Sequence, residues 1–184
     1  MLTYGRAMNC YVLVGGRSSR MGQSKTALFL DRVVAAARPV FDDVIAVQRA
    51  GGDTVGIRTI CEMSHEDEAP LFGIARALED AQADCFILAV DYPKITTDVL
   101  RYLADRDGVP VWNGQPQPLC ARWPRALLPL VTQRLATRRY DLRGLIAEAG
   151  VEMIAEADLR ARFTGEPLAN VNTPADLQEA ERHG

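Results

Sequence analysis

The chain has 184 residues, 48% of them hydrophobic and 24% charged, with a formal net charge of −3. Such a composition excludes disordered and fibrous classes, and 21 Lys+Arg against 24 Asp+Glu leaves no positive excess for general nucleic-acid binding. At this length one domain over 1–184 is expected, burying roughly 70% of the unfolded chain's surface.

Apolar and helical patterns alternate along the chain. Residues 9–14 read as a short apolar strand stopped by Gly15-Gly16, and 26–37 as a helix ending near Pro39. Residues 44–48 form a second strand and 58–61 a weaker third. Residues 70–81 read as a helix with Pro70 in its first turn. The clearest strand is 85–90, CFILAV, unbroken and apolar as expected of a strand covered on both faces. A helix over 96–106 follows, with Thr96 or Thr97 as its N-cap. Strands at 109–112 and 119–123, helices at 125–138 and 142–149, a strand at 151–154 and a closing helix at 174–182 complete the reading. This alternation predicts an α/β, three-layer Rossmann-like domain with a mostly parallel sheet, whose ligands bind beyond the carboxyl ends of the strands.

No apolar run reaches the ~20 residues that cross a bilayer, so no membrane partner is expected. Residues 1–9 lack the apolar stretch and small-residue cleavage site of a secretory leader. Cys10, Cys61, Cys85 and Cys120 form no CxxC pair and only two histidines are present, an unpromising set for structural zinc. Free thiols buried in strands at Cys10 and Cys85 fit a reducing cytoplasm.

The strongest local signal is the run from Leu13 to Lys25, LVGGRSSRMGQSK. A strand ends in a glycine pair, followed by a polar loop with two arginines, a third glycine and a lysine. Glycines let backbone N–H groups turn toward an anion. Arg17, Arg20 and Lys25 add positive charge, and the following helix adds its N-terminal dipole. The spacing excludes a Walker A loop, which has four residues between its glycines and a lysine directly after the second. Here Gly16 and Gly22 are separated by five residues and Lys25 lies three beyond Gly22. A plain strand–helix loop with surface arginines is the competing reading.

The segment GGRSSRMGxxK resembles the signature of the MobA-like nucleotidyltransferases, and most closely their molybdenum cofactor guanylyltransferases. Five further segments are similar in the same order: Pro70-Leu71-Phe72-Gly73, Asp91-Tyr92-Pro93, Gln115-Pro116-Gln117-Pro118-Leu119, Leu142-Arg143 and Asn170-Val171-Asn172-Thr173-Pro174. The resemblance implies transfer of GMP from GTP to molybdopterin or Mo-molybdopterin, with Mg²⁺ and release of pyrophosphate. It also implies contact with molybdoenzyme maturation proteins.

Carried over residue by residue, the resemblance puts Lys25 and Arg20 at the triphosphate, with Arg17 beside them. It gives Asp91 the metal. The backbone at Leu13, Val14, Gly15 and Gly16 would meet guanine and ribose, and Pro70, Leu71 and Gly73 would help form the guanine pocket. Gln48 and Glu62 match positions that contact the nucleotide. Gln117, Pro118, Arg143, Asn170 and Asn172 match the acceptor side. Plain structural roles compete at each: a turn aspartate before Pro93, an Asx-turn at Asn170–Asn172, solvated arginines, and arginines answering a helix dipole at Arg138, Arg139 and Arg143.

The Gly15-Gly16 pair and the PLFG segment favour GTP over CTP, because the related cytidylyltransferases have LAAG and lack PLxG. Departures from the family pattern stand at Val14, Ser24, Glu62 and Tyr92. They keep open another acceptor, CTP, or a non-catalytic nucleotide-binding homologue. The expected chemistry is in-line attack of the acceptor's terminal phosphate on the α-phosphorus. That phosphate is already anionic at neutral pH, so no general base is required.

Overall fold

The computed structural model describes residues 7–14, 23–49, 56–62 and 67–170. Its main sheet has five strands: β1 (Cys10–Leu13), β2 (Val44–Gln48), β3 (Thr59–Cys61), β4 (Cys85–Ala89) and β7 (Cys120–Trp123), in the order β3-β2-β1-β4-β7. The β3–β2, β2–β1 and β1–β4 pairings are parallel, and β7 joins β4 antiparallel. A three-stranded ribbon, β6-β5-β8, stands beside it, built from β5 (Val109–Trp112), β6 (Gln115–Pro116) and β8 (Met153–Ile154).

Alternation along the strands splits the core in two. Cys10 and Val12 of β1 and Phe86 and Leu88 of β4 face one side, packed with Val33 and Val34 of α1 (Gln23–Ala37) and Val99, Leu100 and Leu103 of α3 (Thr97–Ala104). Tyr11, Leu13, Cys85 and Ile87 face the other. They pack against Leu71, Ile74 and Leu78 of α2 (Pro70–Ala81), Val131 of α4 (Leu128–Ala136) and Leu145 and Ile146 of α5 (Leu142–Glu148). These layers explain why β4 reads as an unbroken apolar run: all five residues are buried, each large side chain contributing about 2 kcal/mol.

The helix starts follow from local chemistry. Pro70 occupies the first turn of α2, where its missing N–H costs nothing. The Thr96 hydroxyl accepts from the Val99 N–H at 3.4 Å, and the Asp141 carboxylate from the Gly144 N–H at 2.6 Å.

Several elements differ from the expectation. The helix expected over 125–138 begins as a 3₁₀ turn, Arg125–Leu127, and continues as α4 with Pro129 in its first turn. The helix of 96–106 ends at Ala104, and the strand of 151–154 narrows to Met153–Ile154. Two elements carried signals not used in the sequence reading. The β5–β6 hairpin turns on Asn113-Gly114, with φ of 51° and 67°, the left-handed pair of a tight hairpin. Helix α6 (Glu156–Arg162) has acidic residues in its first turn and basic ones in its last, matching the dipole. The helix read at 174–182 lies outside the described residues.

Candidate active site

The strand order reverses between β1 and β4. The chain runs outward from β1 through β2 to β3, then returns to place β4 on the other flank of β1. At such a switch point the loops leaving neighbouring strands diverge and open a crevice beyond their carboxyl ends. Leu13 pairs with Val47 on one side and Ala89 on the other, and the Leu13 carbonyl accepts from the Val90 N–H at 3.3 Å. The glycine loop after β1 and the Asp91 turn after β4 therefore start from adjacent strands. Gly15, Gly16, Arg17 and Arg20 lie outside the described residues, as does Asn172. Lys25 falls in the first turn of α1, and its side chain lies outside them too.

On the β2 side, Leu13, Val14, Gln48 and Glu62 come together. The Val14 N–H donates to Val47 O at 2.9 Å, and the Glu62 N–H to Gln48 O at 2.8 Å. Gly73 of α2 packs over them. A Cβ added there would lie 2.9 Å from Glu62 Oε1 and 3.0 Å from the Leu13 side chain. Glycine is thus what lets the first turn of α2 approach the strand ends this closely. Leu71 is fully buried beneath the turn and Pro70 is exposed at its start. Arg49 and Glu68 pair at 2.8 Å nearby.

On the β4 side, Asp91 stands two residues beyond the strand. It is partly buried, and burial holds its carboxyl above the ordinary carboxylate value, with its own backbone N–H offsetting part of that. Among the described residues no cation pairs with it, and no three His, Cys, Asp or Glu side chains cluster to hold a metal. One carboxylate with open positions suits magnesium, which keeps most of its shell as water and substrate phosphate oxygens.

The Tyr92 side chain, only 3% exposed, turns into the core. Its hydroxyl donates to Gln117 Oε1 at 2.9 Å, and burial pushes the phenol far above its ordinary value, so the hydroxyl keeps its proton. Sequence reasoning marked Tyr92 only as a departure from the family pattern. No periodicity reveals a contact between residues 25 positions apart.

The acceptor-side residues fall into two groups. Gln117 and Pro118 lie in the connection from β6 to β7, where the Pro118 carbonyl accepts from Trp123 Nε1 at 2.9 Å. Arg143 is exposed on the first turn of α5 and donates to Gln115 Oε1. That turn is anchored from below by Arg134, fully buried, whose guanidinium meets Asp141 at 2.6 Å and Glu148 at 2.7 Å. Asn170 is exposed at the end of the described residues. Arg139 pairs with Glu148 at 2.8 Å. The structure thus joins Leu13, Val14, Gln48, Glu62 and Gly73 into one cluster, and links the Asp91 turn to Gln117 through Tyr92.

A family model described as the MobA-like NTP transferase domain matches residues 10–153. A protein of Pelotomaculum thermopropionicum, named a probable molybdenum cofactor guanylyltransferase, is 30% identical over 184 residues, covering 92% of this chain and 89% of that protein. The molybdenum cofactor guanylyltransferase of Acidiphilium cryptum is 28% identical, covering 96% of this chain and 95% of its own. The crystal structure of molybdopterin-guanine dinucleotide biosynthesis protein A from Archaeoglobus fulgidus superposes with a TM-score of 0.74 at 22% identity, covering 96% of this chain and 98% of that one. No described helix is long and apolar enough to cross a membrane.

Proposed function

This chain belongs to the MobA-like NTP transferase family, a nucleotidyltransferase family, and from that premise we propose that it transfers GMP from GTP to molybdopterin or Mo-molybdopterin, acting as one domain over 1–184. The observation that carries this reading is the order reversal between β1 and β4, which puts the strand ends at Leu13 and Ala89 side by side. The glycine loop and the Asp91 turn leave from there.

The nucleotide lies with its base over Leu13, Val14, Gly15 and Gly16, against the Pro70–Gly73 turn. Gln48 and Glu62 contact the nucleoside. Arg17, Arg20 and Lys25 hold the phosphates. The acceptor's terminal phosphate reaches the α-phosphorus from the side of Arg143, Asn170 and Asn172. A phosphate oxygen of the acceptor forms a new bond to the α-phosphorus. The bond from that phosphorus to the oxygen bridging the β-phosphate breaks, and pyrophosphate leaves with the electron pair. Positioning and charge neutralisation carry the rate, so no histidine base is needed.

Asp91 would hold Mg²⁺, which when bound neutralises charge developing on the α-phosphate. Lys25 supplies a compact charge near the same phosphates, and its ammonium differs from a guanidinium in shape and hydration. In a chain with only two lysines, Lys25→Arg therefore keeps the charge and loses most of the activity.

The test is pyrophosphate release by the purified full chain with GTP, Mg²⁺ and molybdopterin, with CTP as competitor. Release with GTP and weak competition by CTP support the reading. No release with any nucleotide overturns it.

A further inference from the structure

Gln117 matches a segment read as acceptor-binding, yet its half-buried side chain is committed to partners within the chain. Its Nε2 lies 3.3 Å from the Trp112 carbonyl and 3.1 Å from the Gln115 carbonyl, and its Oε1 accepts from the Tyr92 hydroxyl at 2.9 Å. A carboxamide has two donor hydrogens, and both have partners here. Its backbone is held as well: the Gln117 N–H donates to Pro110 O at 2.8 Å, and its carbonyl accepts from the Cys120 N–H at 3.1 Å.

Tyr92 is the neighbour of Asp91, and the same turn is closed by the Ile95 N–H donating to the Tyr92 carbonyl at 3.1 Å. On the far side, Gln115 accepts from Arg143 through its side chain. Hydrogen bonds therefore run from the Asp91 turn through Tyr92, Gln117 and Gln115 to Arg143 on α5. We propose that Tyr92 and Gln117 are a positioning pair that fixes the Asp91 turn relative to the acceptor-side hairpin, and that Gln117 acts through this tie and not by touching substrate. The inference rests on the guanylyltransferase reading for its kinetic consequence. The tie itself can be tested without it.

Tyr92→Phe keeps the packed ring and removes one hydroxyl, leaving Gln117 Oε1 without that donor. In the full chain, with GTP, Mg²⁺ and molybdopterin, kcat is expected to fall about tenfold, the scale of one lost hydrogen bond in the transition-state geometry. KM for GTP should stay within about twofold of wild type, because the base and ribose sit on the β1–β2 side. Gln117→Leu should show the same loss, and the double variant should be no worse than either single one, as for two residues acting as a unit.

Hydrogen exchange gives an independent readout. In Tyr92→Phe the backbone amides of 91–95 should exchange about tenfold faster, while those of β4 keep their wild-type rates. Wild-type kcat together with wild-type exchange at 91–95 overturns the proposal. So do multiplying losses in the double variant, or a rise in KM for GTP that tracks a general fall in Tm, which would mark plain destabilisation. If the wild-type chain releases no pyrophosphate, the guanylyltransferase reading fails and exchange at 91–95 decides the tie alone: faster exchange upholds it and unchanged exchange overturns it.

Discussion

The amino end of the main sheet and the Asp91 turn at its carboxyl end treat charge in opposite ways. At the amino end, charges meet charges. Asp43 precedes β2, Arg58 precedes β3, and Asp80 lies in the last turn of α2. Arg58 bridges the two carboxylates at 3.6 and 3.1 Å, and the Tyr11 hydroxyl donates to Asp80 at 2.8 Å. Arg122, 9% exposed on β7, lies between Asp84 at 2.6 Å and Asp107 at 2.8 Å. At the carboxyl end, Asp91 is partly buried with no cation beside it among the described residues, and its carboxyl is pushed upward. Burying a carboxylate without a partner is unfavourable. The contrast is between Arg58 and Arg122, each set between two carboxylates, and Asp91, which is partly buried without a cation beside it among the described residues.

Asp91→Ala should break the comparison most sharply. Guanylyl transfer is expected to drop on the order of a thousandfold, the scale of lost metal-assisted charge stabilisation, with Tm unchanged or higher. Initial rates of pyrophosphate release and a circular-dichroism melt check both halves.

The pH dependence follows from the same residue. An aspartate whose folded value lies above the unfolded one retains its proton in the folded state across the interval between the two, so stability falls as pH rises through that window. Asp91→Asn removes the effect. Without divalent metal the variant should melt above wild type at neutral pH, with the gap closing as pH falls below the ordinary carboxylate range. Mg²⁺ with GTP should raise the melting point of wild type and not of the variant.

Arg122→Ala tests the amino end. Its two carboxylate partners reach solvent, so the loss is less than for a sealed ion pair, about 2 kcal/mol by urea unfolding. The kcat of the folded fraction should match wild type. Gly73→Ala should cost about 1 kcal/mol, because Glu62 and Leu13 can each give way at their side-chain ends. It should raise KM for GTP severalfold with little change in kcat. The smallest expected effect is Tyr11→Phe, about 1 kcal/mol or less, from loss of the hydroxyl that donates to Asp80. A fall in turnover there would contradict the division of roles between the two ends.

The local elements were largely legible. The apolar run of β4, Pro70 at the start of α2 and Thr96 before α3 each carry their cause within a few residues. The antiparallel edge strand β7 was legible as a strand, but not its direction, since pairing partners are chosen by packing. Strands β5 and β8 were legible at 109–112 and within 151–154, but β6 and the pairing of the three into a ribbon were not, because a two-residue strand has no periodicity. The candidate site divides in the same manner. The glycine run after β1 and the aspartate after β4 stand out in sequence, whereas the hydrogen bond that joins Tyr92 to Gln117 does not.

By itself the sequence determined the α/β alternation and the position of Asp91 just past a strand end, because each depends on short-range spacing of apolar and charged residues. Only the tertiary structure decided which strand neighbours which, how closely α2 approaches at Gly73, and that Gln117 spends its amide on Tyr92 and two carbonyls. Those depend on contacts between residues far apart in the chain, where packing of two layers against one sheet selects among arrangements that local spacing permits equally.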